Sequence, residues 1–237
     1  MSDFTGKSVM VLGGSRGIGA ALVRHFAAAG ANVRFSYSGS PDAAAAVAAE
    51  TGAASVQADS ANRDELIAAV AAAGALDIMV INAGVAMMGD PLKLDADAVD
   101  RLIDINVRAA YFAGVEAGRQ MHDNGRIIII GSVNGDRVPG AGFTAYALSK
   151  SAVQGIGRGL ARDFAPRGIT VNVVQPGPVD TDMNPAGGPM APMMHAAMAI
   201  KRHATADEVA GLVLYLASPA AAMITGTTQT MDGGLGI

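Results

Sequence analysis

The chain has no cysteine and no tryptophan. Without thiols there can be no disulfide framework, no cysteine-based zinc site and no thiol nucleophile. Its four histidines are scattered and spell no repeated ligand pattern, so no metal site is expected. Aromatic residues make up only 4%. Basic charge is also short, with 17 Lys and Arg against 21 Asp and Glu and a net charge of −4. That balance offers no general surface for a nucleic-acid polymer or an anionic membrane. No uncharged apolar run reaches the roughly 18 residues of a spanning helix. The best candidate, residues 74–89, is broken by Asp77, Asn82 and several glycines. Residues 1–7 carry neither a secretory hydrophobic region nor an Arg-rich transit pattern, so the expected location is the cytoplasm.

What is present is apolar and regular. Of 237 residues, 51% are hydrophobic and 16% charged, which excludes a disordered chain and fits one domain over residues 1–237. Short β-branched runs at 8–12, 32–36, 54–58, 77–81, 126–131, 170–175 and 228–231 alternate with longer segments of helical spacing. The helices are expected at 17–29, 41–51, 62–73, 95–121, 145–165 and 205–217. Strands that are apolar on both faces and alternate with helices form a parallel sheet covered on both sides. The fold class is therefore α/β, a single doubly wound Rossmann-type domain with about seven parallel strands. One irregular stretch, residues 176–194, carries five prolines and three glycines after a strand end, where ligand-binding loops of such sheets lie.

Gly13-Gly14-Ser15-Arg16-Gly17-Ile18-Gly19 lies between the first strand and the first helix. Glycines there permit positive φ and let a pyrophosphate approach the backbone, while the helix start offers free N–H groups. NAD-binding folds commonly place a carboxylate after the second strand to hold the ribose 2′-hydroxyl. Here that stretch reads Ser36-Tyr37-Ser38-Gly39-Ser40, with no acid before Asp42. Arg16 together with Tyr37 and Ser38 suits a 2′-phosphate, so NADP(H) is expected over NAD(H). The plainer reading of Arg16 is a solvated loop residue.

Tyr146 and Lys150 stand four residues apart, on one face of a helix. A phenol is a poor acid–base at neutral pH unless its ionised form is favoured, and a nearby ammonium does this. Ser132 follows the all-isoleucine run 127–130 at a strand end, and Asn82-Ala83-Gly84 follows the fourth strand in the same way.

Taken with Asp59, Asn106, Pro176-Gly177, Thr181, Met183 and the late Met231-Asp232-Gly233-Gly234, these motifs resemble the short-chain dehydrogenase/reductase family over essentially the whole chain. Within it the sequence is similar to NADP-dependent 3-oxoacyl reductases. It is more similar still to members that bind cyclic-di-GMP, through residues 130–137 and 200–203. The resemblance implies an NADP(H)-dependent carbonyl reductase or alcohol dehydrogenase. Tyr146 would be its general acid/base, and Lys150 would lower the phenol's pKa and bind the nicotinamide ribose. Ser132 would orient the carbonyl, and Asn106 would hold a water leading from Lys150 to solvent. On residue chemistry alone Asn106 reads instead as a satisfied core amide. Gly13, Ser15, Arg16, Gly17, Ile18 and Gly19 would cradle the phosphates. Asp59, Ser60, Asn82, Ala83 and Gly84 would line the adenine and its ribose, and Pro176, Gly177, Val179 and Thr181 the nicotinamide end. Departures from the family pattern are Leu12 for a common threonine, Ile81 for a common asparagine, and a Ser132–Tyr146 spacing one residue longer than usual. The added length, with Asp136-Arg137, bears on the pocket wall rather than the chemistry.

Met183, Met190, Met193, Met194 and Met198 surround His195, forming either a pliable substrate lid at about 183–203 or a packed short helix. Gly155, Gly157 and Gly159 share one helix at a cost of about 2–3 kcal/mol against alanine. Ala147, Ser151, Gly155 and Gly159 form a stripe at i+4 spacing that allows close approach of another backbone, either the chain's own sheet or, as the resemblance implies, a homotetramer partner. The partners expected are a small carbonyl or alcohol substrate and, on a second reading, cyclic-di-GMP in the dinucleotide crevice.

Overall fold

A computed structural model describes residues 3–237. In chain order the elements are β1 (Ser8–Leu12), α1 (Gly17–Ala28), β2 (Asn32–Tyr37), α2 (Pro41–Thr51), β3 (Ala54–Gln57), α3 (Arg63–Ala71) and β4 (Leu76–Ile81). There follow α4 (Ala96–Ile103), α5 (Ala109–Gln120), β5 (Met121–Ile130), α6 (Thr144–Phe164) and β6 (Thr170–Pro176). The chain closes with α7 (Ala191–Ala197), α8 (Ala206–Ala217) and β7 (Thr228–Met231). The seven strands form one parallel sheet in the order β3-β2-β1-β4-β5-β6-β7.

Alternate residues of each strand enter opposite layers. Val9, Val11, Ile78, Val80, Ile128 and Ile130 pack under α1, α2 and α8. Met10, Leu12, Met79, Ile81, Ile127 and Ile129 pack under α3, α5 and α6. This two-sided burial is why the strands read as unbroken apolar runs. Small residues set the helix distances: a side chain at Gly114 of α5 would come within 2.6 Å of Leu160 on α6. Strand order reverses between β1 and β4, so the binding crevice lies above their carboxyl ends.

The structure departs from the sequence expectation in three places. The helix expected over 95–121 is interrupted by a π turn, Asp104–Arg108, which links α4 to α5. β5 begins at Met121 rather than 126, because a register shift between Leu76 and Ile78, with Asn124 at φ 62°, absorbs the extra residues. The stretch read as irregular ends in regular structure, Ala191–Ala197 forming the short helix that the methionine segment also suggested. Among the described residues no helix is long and apolar enough to cross a membrane.

Candidate active site

The crevice is built first at the glycine turn. Gly13 and Gly17 have φ of 75° and 52°, a left-handed region that side chains disfavour. A Cβ at Gly14 would lie 2.5 Å from Phe35, and one at Gly19 would land on the Gly13 carbonyl oxygen. Ser36, buried at the end of β2, accepts from the Gly13 N–H at 3.1 Å, and its carbonyl accepts from Gly14 at 2.8 Å. The Asn82 amide donates to the Gly13 carbonyl at 2.8 Å, joining the β4 end to the turn. Behind the turn α1 begins at Gly17 with no side chain capping it, which leaves its first N–H groups directed at the crevice. Side chains are thus excluded where a pyrophosphate must approach, and donors are supplied there. These residues fit a dinucleotide.

At the ribose side Tyr37 is half-buried and Ser38 exposed, with no carboxylate on that stretch. Arg16 is exposed and lies 3.9 Å from Asp182, a surface pairing worth little and easily exchanged for a phosphate. Asp59 accepts from the Ala61 N–H at 3.0 Å and from Arg101 at 2.9 Å. Burial would raise its carboxyl, but these bonds outweigh it and hold the group below the usual carboxylate range. Ser60 follows it in the loop after β3, and Ala83 packs within 2.9 Å of where a Gly13 side chain would start.

The second half of the crevice brings together Ser132, Tyr146, Lys150 and Asn106. Ser132 starts a single 3₁₀ turn, Val133–Gly135, and its hydroxyl accepts from the Asn134 N–H at 3.2 Å. Lys150 is buried on α6, donates to the Ile130 carbonyl at 3.2 Å, and lies 5.9 Å from the Tyr146 ring centre. Burial pushes its ammonium down to about 8. Tyr146 moves the other way from the sequence expectation. Burial raises the phenol above its ordinary value, and it is Ser132, by hydrogen bonding, that opposes the shift. Asn106 sits in the π turn, receiving from Val85 N–H and donating to Val85 carbonyl, each at 2.9 Å, and donating to Ser149 at 3.0 Å. Its side chain is therefore a satisfied amide that ties the β4 loop to α6. Space for a Gly84 Cβ is limited by the Asn106 oxygen and the Lys150 nitrogen, both 3.3 Å away.

Pro176 ends β6, and Gly177 donates to the Met231 carbonyl at 2.9 Å, with no room for a Cβ against Asp232. Val179 is buried and bridges Ala204, while the Thr181 methyl lies 3.2 Å from the Gly17 Cβ position, across the helix start. Met183, Met190 and Met193 are exposed at the mouth, whereas Met198 is buried. His195 on α7 bonds His203 at 2.7 Å. Among the described residues no cluster of three or more acidic or histidine side chains could hold a metal ion.

Sequence reasoning passed over Ser149, Gln154 and Gln175, and took Ser36 and His203 only as parts of longer stretches. Each is polar on an otherwise apolar strand or helix face, or borders one, and that local mismatch was the available signal.

Comparison with known proteins extends the likeness to the whole chain. The family model described as Enoyl-(Acyl carrier protein) reductase matches residues 13–236. Over 236 residues the chain is 62% identical to the cyclic-di-GMP-binding biofilm dispersal mediator protein of Escherichia coli (strain K12), covering 100% of both. The crystal structure of BdcA in complex with NADPH superposes with a TM-score of 0.97 at 63% identity, covering 98% of this chain and 96% of that one. A short-chain dehydrogenase/reductase from Serratia marcescens gives a TM-score of 0.97 at 48% identity, covering 99% of both chains. Identity of this order along the full length of both partners, on the same fold, means that the chain belongs to the short-chain dehydrogenase/reductase family.

Proposed function

We propose that this protein is an NADP(H)-dependent carbonyl reductase, working in reverse as an alcohol dehydrogenase, with Tyr146 as its general acid/base. The cofactor is NADP(H): BdcA, 63% identical, holds NADPH, and the glycine turn and acid-free ribose side here suit it. The observation that carries the reaction is the buried Lys150 ammonium, at about 8, on the same helix face as a half-buried phenol that faces Ser132. When bound, the cofactor supplies a hydride to the carbonyl carbon. Ser132 donates a hydrogen bond to the carbonyl oxygen and orients it. Tyr146, a phenol that is protonated at neutral pH, delivers a proton to that oxygen. Lys150 holds positive charge beside the phenolate that results and hydrogen-bonds the nicotinamide ribose. Asn106 fixes the loop after β4 against α6, keeping Gly84 close to Lys150.

Exposed methionines at the crevice mouth support a lid over about 183–203 that accepts a bulky, weakly polar ketone. A homotetramer is supported by α6, where Leu148 is 57% exposed and the Cβ positions of Gly155 and Gly159 meet open space. Tyr111 on α5 is exposed as well. A second reading, cyclic-di-GMP binding in biofilm dispersal, rests on the 62% identical Escherichia coli protein described by that ligand. A cyclic dinucleotide offers the phosphates and purines that the same crevice is shaped for. The decisive test is NADPH oxidation across a ketone panel, with and without cyclic-di-GMP, alongside direct titration of that nucleotide. Turnover on at least one ketone supports the reductase. Tight cyclic-di-GMP binding with no turnover on any carbonyl transfers the function to the second reading.

A further inference from the structure

Behind Ser132, outside the crevice, three polar side chains close a triangle. Gln175 is fully buried at the carboxyl end of β6, on a strand otherwise dominated by valine. Its amide nitrogen donates to one Asp136 carboxylate oxygen at 2.6 Å. Gln154, one turn beyond Lys150 on α6, donates at 2.8 Å to the other Asp136 oxygen and at 2.8 Å to the Gln175 carbonyl oxygen. Asp136 directly follows the 3₁₀ turn that Ser132 opens. That turn is pressed against the helix as well: Ser151 donates to the Gly135 carbonyl at 2.6 Å. A Cβ on Gly135 would lie 2.8 Å from the Lys150 carbonyl oxygen and 2.9 Å from the Gln175 amide.

We infer that Asp136 and Gln175 are positioning residues, which lock the turn carrying Ser132 to the helix carrying Tyr146 and Lys150 and so fix the Ser132–Tyr146 distance. The inference rests on the reductase reading for its effect on turnover, but not for its effect on geometry.

The triangle has a parity that makes it testable. Asp136 presents two acceptors, Gln175 one donor and one acceptor, and the Gln154 nitrogen two donated bonds, so all three contacts are satisfied. With Asp136→Asn, whichever way the three amides turn, one contact must face donor to donor or acceptor to acceptor. Gln175→Glu alone sets two carboxylates against each other. The double variant D136N/Q175E restores every contact. Its new amide at position 136 accepts from Gln154 and donates to the new carboxylate at position 175, whose second oxygen accepts from Gln154.

The experiment compares the four proteins of this cycle by two readouts. One is kcat and KM for a ketone, with NADPH affinity titrated separately. The other is titration of the Tyr146 phenol by NMR of ring-labelled tyrosine, assigned with Tyr146→Phe. In Asp136→Asn, kcat should fall about tenfold or more from misplacement of Ser132, with KM and NADPH affinity little changed. The Tyr146 phenol should titrate higher as Ser132 draws away, and the double variant should restore both readouts. Should Asp136→Asn fail to fold, Gln175→Glu serves as the mismatched arm. A folded mismatched variant with unaltered phenol titration overturns the inference, as does a double variant no better than the singles. A wild type that turns over no ketone, yet shows the phenol shift and its rescue, leaves the positioning role standing and removes the reductase reading instead.

Discussion

Tyr146 and Lys150 carry the sharpest consequences at the residue scale. Tyr146→Phe removes one hydroxyl and keeps the ring, so NADPH affinity should hold while turnover falls by about 10²–10⁴. Equal turnover in steady-state assays of the variant would end the mechanism. Lys150 is buried with a pKa of about 8, against an ordinary value of 10.5. Below 8 the folded chain bears a buried ammonium that the unfolded chain would hydrate. Between 8 and 10.5 the unfolded state binds the extra proton, so stability rises with pH across that window. Lys150→Met should therefore stabilise the protein at neutral pH, by on the order of 1–3 kcal/mol, while abolishing turnover. Denaturant melts of both proteins from pH 7 to 10 should show the gap narrowing as pH rises; a constant gap would contradict the assignment. Arg16 and the absence of an acid after β2 predict NADPH binding at least tenfold tighter than NADH, about 1.4 kcal/mol, measured by fluorescence titration.

The glycine turn is the element on which the proposed cofactor site depends. Gly14→Ala would press a methyl to within 2.5 Å of the buried Phe35 Cβ and 2.8 Å of its ring, and strain the bond to Ser36. The variant should lose about 1–3 kcal/mol of stability and much of its NADPH affinity, both readable from thermal shift with and without cofactor. This element was legible in the sequence because its chemistry is local: glycines between a strand and a helix start. The strands were equally legible, since burial on both faces leaves them continuously apolar. The π turn at Asp104–Arg108 was not, because its one-residue excess is imposed by Asn106 reaching Val85 and Ser149 from other segments. Nor could the sequence order the two forces on Tyr146. Lys150 at i+4 suggested a lowered pKa, whereas burial, which depends on every neighbouring element, raises it, and the opposing force is a hydrogen bond from Ser132. The contacts among Gln154, Gln175 and Asp136 were hidden for the same reason, joining a loop, a helix and a strand.

At the scale of the whole molecule, α6 presents Gly155 and Gly159 with nothing against them, so a large side chain there costs the lone chain nothing sterically. On the proposed tetramer, Gly155→Leu should leave secondary structure intact and lower the solution mass in light scattering below that of wild type. An unchanged tetrameric mass would place the interface elsewhere. The strand order carries one more consequence, for synthesis on the ribosome. β1 lies inside the sheet, third of its seven strands, and its register pairs Val9 with Val33 on one side and Ile78 on the other. At roughly 5–20 residues per second, the edge facing β4 stays unpaired for several seconds after β1 emerges. Val9, Met10, Val11 and Leu12, all fully interior in the finished sheet, are held out to solvent for that interval. A nascent chain stalled before β4 should bind a holdase chaperone through this strand, and one stalled after β5 has left the exit tunnel should release it.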